Sequence, residues 1–582
     1  MKKLYLQLVM IFIFSCAYSQ NVGIGTNTPE AKFHIKGSAD TSQLVIDAHT
    51  VQSNTKPLIK LRDAAGNELM RIHTDAEFNV FMGYAAGRIN NPNTISGTGL
   101  YNTFIGSNTG YYNTSGSFNT ALGRSALYQN TTGVYNTGLG YKALFSNIYA
   151  QGNTAIGYEA LLSNTFGHYN TAVGATALFA NSTGSQNVAI GESTLYANTT
   201  AEKNVAIGAQ ALSAQSYSDN GSNWQSNNVA VGYGALTFNQ PTSTLNGIQN
   251  TAIGNLALFG NSTGYSNTAT GYSALYSNTI GYKNSAFGQG ALYANSSGSF
   301  NTAQGYGALA SNSNCSENTA IGFQALYTQS YNGLYATGNT AVGAYALHDN
   351  EPSNSNNGKF NTGMGQNVLS GNTTGLGNTA IGAGALEVNI TGSGNTAIGF
   401  LSGPNIIGVS NTTCVGNGAT STADNQMVLG NANVTQFYCY GAYVGTTSNA
   451  ANLTILNTGQ ILRSTSSRRY KKDIIPLDIN TAAIYNLAPK SYNSYSDQDR
   501  HFGLVAEEVA EVIPELVTYA KEKDVVKGSS SEALIPDAVQ YPLLSVLVLK
   551  EVQKHEQIIK EQQLLIEELK ARLEKLEKKG EK

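Results

Sequence analysis

The nonapeptide NTAIGYEAL, residues Asn153 to Leu161, recurs through the middle of the chain and sets the terms for everything else. Its leading Asn falls at 102, 119, 136, 153, 170, 187, 204, 228, 250, 267, 284, 301, 318, 339, 361, 378 and 395. Twelve of the 16 intervals are 17 residues and the other four are 21 to 24. A fixed period of this kind means one supersecondary unit stacked on copies of itself. Helices are excluded, because 17 residues holding two or more Gly with several Asn and Ser lose too much helix propensity. Each unit instead reads as short strands and bends: Ala155 and Ile156 point apolar groups inward, Gly157 permits a bend, and a turn such as NSTG (Asn181 to Gly184) closes the unit. One unit alone cannot bury its few Ala, Ile and Leu side chains. With strands about 4.8 Å apart, 17 stacked units make a rod of roughly 80 Å, polar outside. The longer intervals, around Ala209 to Asn227 with the sole Trp224 and Leu347 to Phe360, read as loops projecting from it. Specific recognition is expected on those loops, where Tyr and Trp collect.

Composition narrows the chemistry. A net charge of -3 over 582 residues gives no global electrostatic reason to bind nucleic acid. Asp is nearly absent from the repeats, so a calcium-binding roll of the GGxGxD kind is not expected. Thr after the leading Asn alternates with Val (Val188, Val205, Val229), which breaks the regular Thr ladder that a flat ice-binding face needs, and leaves the array as a structural spacer. Cys315, Cys414 and Cys439 have no CxxC spacing, and the seven His form no HxxxH pair, so neither metal nor other cofactor is expected.

At the N-terminus Lys2 and Lys3 precede an apolar run from Leu4 to Phe14, followed by Ala17-Tyr18-Ser19. This predicts a signal peptide over residues 1–19 and export to the cell surface or the medium. Cys16 offers the rival reading of a lipoprotein acylation site. No later run reaches the about 20 apolar residues a membrane-spanning helix requires, so no transmembrane segment is expected.

The units NTAIGYEAL and NVAIGAQAL resemble the head repeats of trimeric autotransporter adhesins, in which three chains wind parallel β-rolls side by side. The resemblance implies a homotrimer, left-handed coiling and attachment to surfaces, with a cell-surface or glycan ligand for the array. NVGIGTNTP, from Asn21, resembles a segment common at the start of bacterial fibre-like surface proteins.

Composition changes at Arg463, beyond which charges and longer apolar periods take over. Val552, Ile559, Ile566 and Leu573 at a, with Val548, His555, Gln562, Leu569 and Leu576 at d, give about four heptads of a coiled coil. Three blocks precede or open it: SSRRYKKDI (Ser466 to Ile474), HFGLVAEEVAEVIPELV (His501 to Val517) and YPLLSVLVLKEVQ (Tyr541 to Gln553). In order and spacing they resemble the intramolecular chaperone of endosialidase tail spikes, a self-cleaving family that also includes a segment of myelin regulatory factor.

That resemblance implies a Ser-Lys dyad. Aligning Arg469 and Lys471 with the family pattern makes Ser466 the nucleophile, Lys471 its base, and Thr465–Ser466 the scissile bond. Ser467 stands where the family has an acid and is a rival nucleophile; Glu507 replaces the usual Gln. The chemistry is coherent: a serine hydroxyl needs a base, and a lysine serves only when neutral. Burial and the cations Arg468, Arg469 and Lys472 push its pKa down. If burial waits for three chains to meet, cleavage reports correct assembly.

The expected architecture is mainly β: a long trimeric parallel β-roll or solenoid of 17-residue repeats, then a small α+β chaperone domain and a coiled coil. The boundaries are 1–19 signal, 20–75 β segment, 76–400 repeat array, 401–463 neck or cap, 464–547 chaperone and autopeptidase, and 548–582 coiled coil. The function expected is an exported trimeric fibre or adhesin-like protein that severs its own chaperone. The alternatives are a glycan-degrading tail-spike enzyme, for which Glu159, Glu192, Glu317 and Glu387 form no repeated carboxylate pair, and a fibre with an inert chaperone.

Overall fold

The structure, a computed structural model, describes residues 22–24, 33–35, 46, 56–76, 78–329, 333, 335–436, 446–447, 453–455, 461–464, 471–493, 500–525 and 530–580. It divides into two units, residues 1–434 and 435–582.

In the first unit Val22–Ile24 pairs parallel with Phe33–Ile35, and antiparallel strands follow. Ile59–Arg62 pairs with Glu68–His73, which pairs in turn with Val80–Met82. Thr103–Ile105 then lies parallel on Val80–Met82 and starts a β-solenoid of about 19 turns that continues to Met427–Leu429. Each turn contributes one three-residue strand, in step with its neighbours: Thr154, Ala155 and Ile156 face Thr171, Ala172 and Val173. The rest of each 17-residue turn is bends, so the expected strands reduce to a single ladder. The small central Ala faces the interior and the third residue faces outward, as strand alternation requires.

The core is a stack of Ala and Leu columns. Ala155, Ala160 and Leu161 are fully buried, as are Ala172, Ala177 and Leu178 one turn on. So thin a core forces the backbone of successive turns close together. At Gly174, with φ +135°, an added Cβ would lie 2.4 Å from the Gly191 carbonyl oxygen, so only glycine fits. Each core leucine has left-handed backbone, with φ 52° at both Leu161 and Leu178. That conformation costs roughly 1–2 kcal/mol, offset by the about 1.5–3 kcal/mol gained on burying the side chain.

The interior is also polar, in two asparagine columns. In the first, the leading Asn of each repeat accepts from the backbone N–H of its successor: Asn204 donates to Asn187 Oδ1 (3.0 Å), and Asn187 to Asn170 Oδ1 (3.0 Å). In the second, side-chain amides run hand to hand, Asn198 to Asn181 Oδ1 (2.9 Å) and Asn181 to Asn164 Oδ1 (2.8 Å). Both columns converge on shared carbonyls; Ala201 C=O accepts from Asn187 Nδ2 (2.9 Å) and Asn198 Nδ2 (3.1 Å). These asparagines are buried, and the ladders satisfy groups that would otherwise cost 1–3 kcal/mol each. The first column ends at Thr412, whose hydroxyl and N–H both donate to Asn395 Oδ1 (2.8 and 3.0 Å).

Two of the four insertions follow a turn in which the second column changes residue. Gln215 and Gln329 stand in place of Asn in turns followed by longer connections, and the longer side chain of Gln215 bridges Asn198 and Asn239 (3.2 and 3.0 Å). The first inserted loop forms a two-stranded parallel patch, Ala201–Glu202 with Trp224–Gln225. Trp224 is only 5% exposed, edge-on to Tyr217. It packs the loop down and does not display an aromatic for recognition.

The second unit is a small mixed domain. Two antiparallel pairs, Lys490–Asn493 with Arg500–Gly503 and Val517–Lys521 with Leu534–Val539, flank the helix Ala506–Val512, and the helix Tyr541–Gly580 follows. Its core is Val509, Ile513, Leu516, Val517 and Leu547.

Candidate functional site

The segment that leads to the predicted scissile bond is a strand. Ile461–Ser464 lies between Thr446–Thr447, parallel, and Leu453–Ile455, antiparallel, with Ser464 opposite Thr447. Arg463 is paired on both sides, with Thr446 and Leu453, and Ser464 on one side only, with Thr447. Thr465, Ser466, Ser467, Arg468 and Arg469 lie outside the described residues. Lys471 lies in an irregular stretch that runs to Asn480 and is exposed in the single chain, as is Glu507 on the first turn of Ala506–Val512. Beside it Glu508 pairs with Lys490 (3.2 Å), both half exposed.

The structure brings the second and third sequence blocks together. The Tyr541 phenol accepts from the Leu504 N–H (2.7 Å), and Leu543, Leu544 and Leu547 of the long helix pack on Val509, Ile513 and Leu516. Ile479, Ala483 and Ile484, just beyond the first block, join the same core.

One polar cluster escaped sequence reasoning. Glu551, on the long helix and buried, accepts from the Thr481 hydroxyl (2.6 Å) and from Lys554 Nζ (3.2 Å), while Lys554 also donates to the Thr481 oxygen (2.5 Å). The Thr481 hydrogen bond, then the Lys554 charge, hold the Glu551 carboxyl below the usual glutamate range. One turn on, Tyr485 stacks on His555 with its OH 3.0 Å from Nε2. This clasp fixes where the helix leaves the domain. Its partners are 70 residues apart in sequence, so no local motif signals it.

Beyond His555 every described residue of the helix is exposed. Val552, Ile559, Ile566, Leu569, Leu573 and Leu576 are all exposed, 50 to 65%. Ile475 (77%) and Phe502 (79%) add further bare apolar area on the domain.

A β-solenoid joined to a small domain of this kind fits a tail-spike or fibre-like protein. Residues 466–518 match the family described as the chaperone of endosialidase, and the chain carries an endosialidase-type chaperone domain there. No curated protein sequence matches the chain. No helix among the described residues is long and apolar enough to cross a membrane, and no group of three His, Cys, Asp or Glu among them is arranged to hold a metal ion.

Proposed function

We propose that this chain is the subunit of an exported, homotrimeric fibre or adhesin-like protein, whose C-terminal domain sets the three chains in register and then cuts itself away between Thr465 and Ser466. The observation that carries this reading is the bare seam on Tyr541–Gly580. A helix of 40 residues, about 60 Å long at 1.5 Å per residue, holds its a and d side chains out to solvent at a heptad spacing. Three such seams closing on one another form a coiled coil; Ile at a accommodates three strands.

The array offers a surface for the same self-association. Its outward third strand residues form one partly exposed apolar row, Ile156, Val173, Ile190, Ile207, Val231 and Ile253, suited to packing against identical rows. Parallel stacking of long arrays is slow and prone to slipped register, and a helical clamp raises the effective concentration of matching turns.

The proposed chemistry needs that assembly. Lys471 is exposed in the single chain, so the desolvation that makes its amine a base for Ser466 has to come from other copies. Ser466 Oγ then attacks the Thr465 carbonyl carbon as its proton passes to Lys471. An ester forms, the Ser466 amine leaves, and water hydrolyses the ester. Glu507 and Arg469 are assigned supporting places at the site, with Ser467 the competing nucleophile.

The test is to express the chain beside Ser466→Ala and Lys471→Ala, measure each by sedimentation equilibrium, and run each denatured. The reading requires trimers in all three and a released fragment of residues 466–582 in the parent only. Cleavage that persists in Ser466→Ala moves the nucleophile to Ser467. A monomeric chain, or a trimeric parent that stays intact, refutes the reading.

A further inference from the structure

Over part of the solenoid, stacked aromatic rings occupy the position after the core leucine. Phe259, Tyr276 and Tyr293 stack face to face on successive turns, with centroids 5.2 and 5.1 Å apart and planes within 9°. Further along, Tyr327 and His348 stack at 5.3 Å and 6°. Between these two runs lies one turn whose equivalent residue is Ala310. The backbone establishes the equivalence: Ser277 donates to Tyr293 C=O (3.0 Å), Ala294 to Ala310 C=O (2.9 Å) and Ser311 to Tyr327 C=O (3.0 Å). Leu162, Ser213, Thr237, Ser370 and Glu387 interrupt the column elsewhere, and within the run from Phe259 to His348 one ring is missing.

The gap is a real recess. A cavity of about 300 Å³ opens there, with Tyr293 and Tyr327 at its ends and Gly290, Gly307 and Ala310 among its lining. Two turns at about 4.8 Å separate Tyr293 from Tyr327 by about 10 Å, which admits one ring at stacking distance from both. A neighbouring column also lacks a ring at this height, with Gln289 between the partly exposed Tyr272 and Tyr306. The lining holds no charged residue, while the phenols, the Gln289 amide and the Ser273 and Ser311 hydroxyls offer hydrogen bonds around the apolar faces.

We propose that this recess binds the pyranose ring of a neutral glycan, sandwiched between Tyr293 and Tyr327. The ring's two C–H faces meet the tyrosine faces, and its equatorial hydroxyls reach the amide and hydroxyl groups at the rim. A charged ligand finds no counter-ion here, and a flat apolar ring leaves the rim groups without partners. The proposal goes beyond the fibre reading and depends on neither cleavage nor the C-terminal domain.

The experiment is calorimetric titration of the intact protein with maltotetraose, cellotetraose and chitotetraose. At least one is expected to bind with a Kd at or below about 1 mM. Ala310→Tyr restores the missing ring, using the residue native at 276, 293 and 327, and is expected to abolish that binding with the melting temperature kept. Tyr327→Ser, with the residue found at the equivalent positions 213 and 370, should weaken it at least about tenfold. The proposal is overturned if none of the three binds at up to about 10 mM, or if Ala310→Tyr binds as the parent does. A change of oligomeric state in Ala310→Tyr, with glycan affinity unchanged, overturns it too, and assigns the recess to contacts between copies.

Discussion

Replacing Asn187 by Ala isolates what the asparagine ladder contributes. Its Oδ1 accepts from two donors of the next turn, the Asn204 N–H and Asn204 Nδ2, each at 3.0 Å. Both donors are buried and both lose their partner. The Ala201 carbonyl stays satisfied, because Asn198 Nδ2 still donates to it (3.1 Å). At about 1–3 kcal/mol for each orphaned buried donor, the cost is about 2–6 kcal/mol. A water entering the vacated space would satisfy one donor and hold the effect near the lower end. Since about 1.4 kcal/mol is tenfold in an equilibrium constant, local opening around Asn204 should rise at least about 30-fold. Hydrogen exchange read on peptides spanning residues 198–210 measures this directly, and is preferable to a global melt because solenoids lose stability turn by turn. The peptide is expected to exchange at least about 30-fold faster, while peptides around Asn284, several turns away, keep the parent rate. Unchanged protection at Asn204 would refute the claim that the ladder, and not the Ala and Leu columns alone, holds adjacent turns together.

Three further outcomes follow from the geometry. Gly174→Ala puts a methyl group 2.4 Å from the Gly191 carbonyl oxygen at a backbone angle of +135°, so the turn must open; a loss of at least about 3 kcal/mol is expected in denaturant unfolding of that region. Glu551 has its pKa lowered by Thr481 and Lys554, so its contribution is present above its unfolded value near 4.5 and is lost as pH falls through the folded value; Glu551→Gln should flatten the acid limb of stability of the C-terminal domain, read by circular dichroism from pH 6 downward. Burial pushes the Cys315 thiol up to about 12, only partly opposed by a hydrogen bond with Thr337; iodoacetamide at pH 8.5 should leave Cys315 unmodified in the folded protein and alkylate it in denaturant, as mass spectrometry will show.

The period of 17 made the stacked β array legible, because nothing but copies of itself could cover so few apolar side chains. The three C-terminal blocks likewise announced the chaperone domain. The asparagines are another matter. Asn181, read as the start of a turn, is buried, and so is each leading Asn, because a side-chain amide that both gives and takes can replace a backbone partner from turn to turn. The signal was present in the recurrence of Asn 11 residues apart, as in Asn170 and Asn181 or Asn187 and Asn198. The left-handed backbone at Leu161 and Leu178 left no trace in sequence, since leucine avoids it elsewhere and accepts it here only for the burial it gains. Around Ser466 the sequence carries the whole case. The Thr481–Glu551 clasp is a product of tertiary packing and has no local signature.

Thr412 has a consequence for what the end of the asparagine column presents. Every earlier member of its column passes a carbonyl forward to the following turn, so any truncated stack would present an unfilled acceptor that welcomes one more copy, including one from another molecule. A threonine hydroxyl completes the last bond backward and offers no amide ahead. The asparagine column therefore stops one strand short of the end of the stack, where Met427–Leu429 pairs on Thr413–Val415 without it.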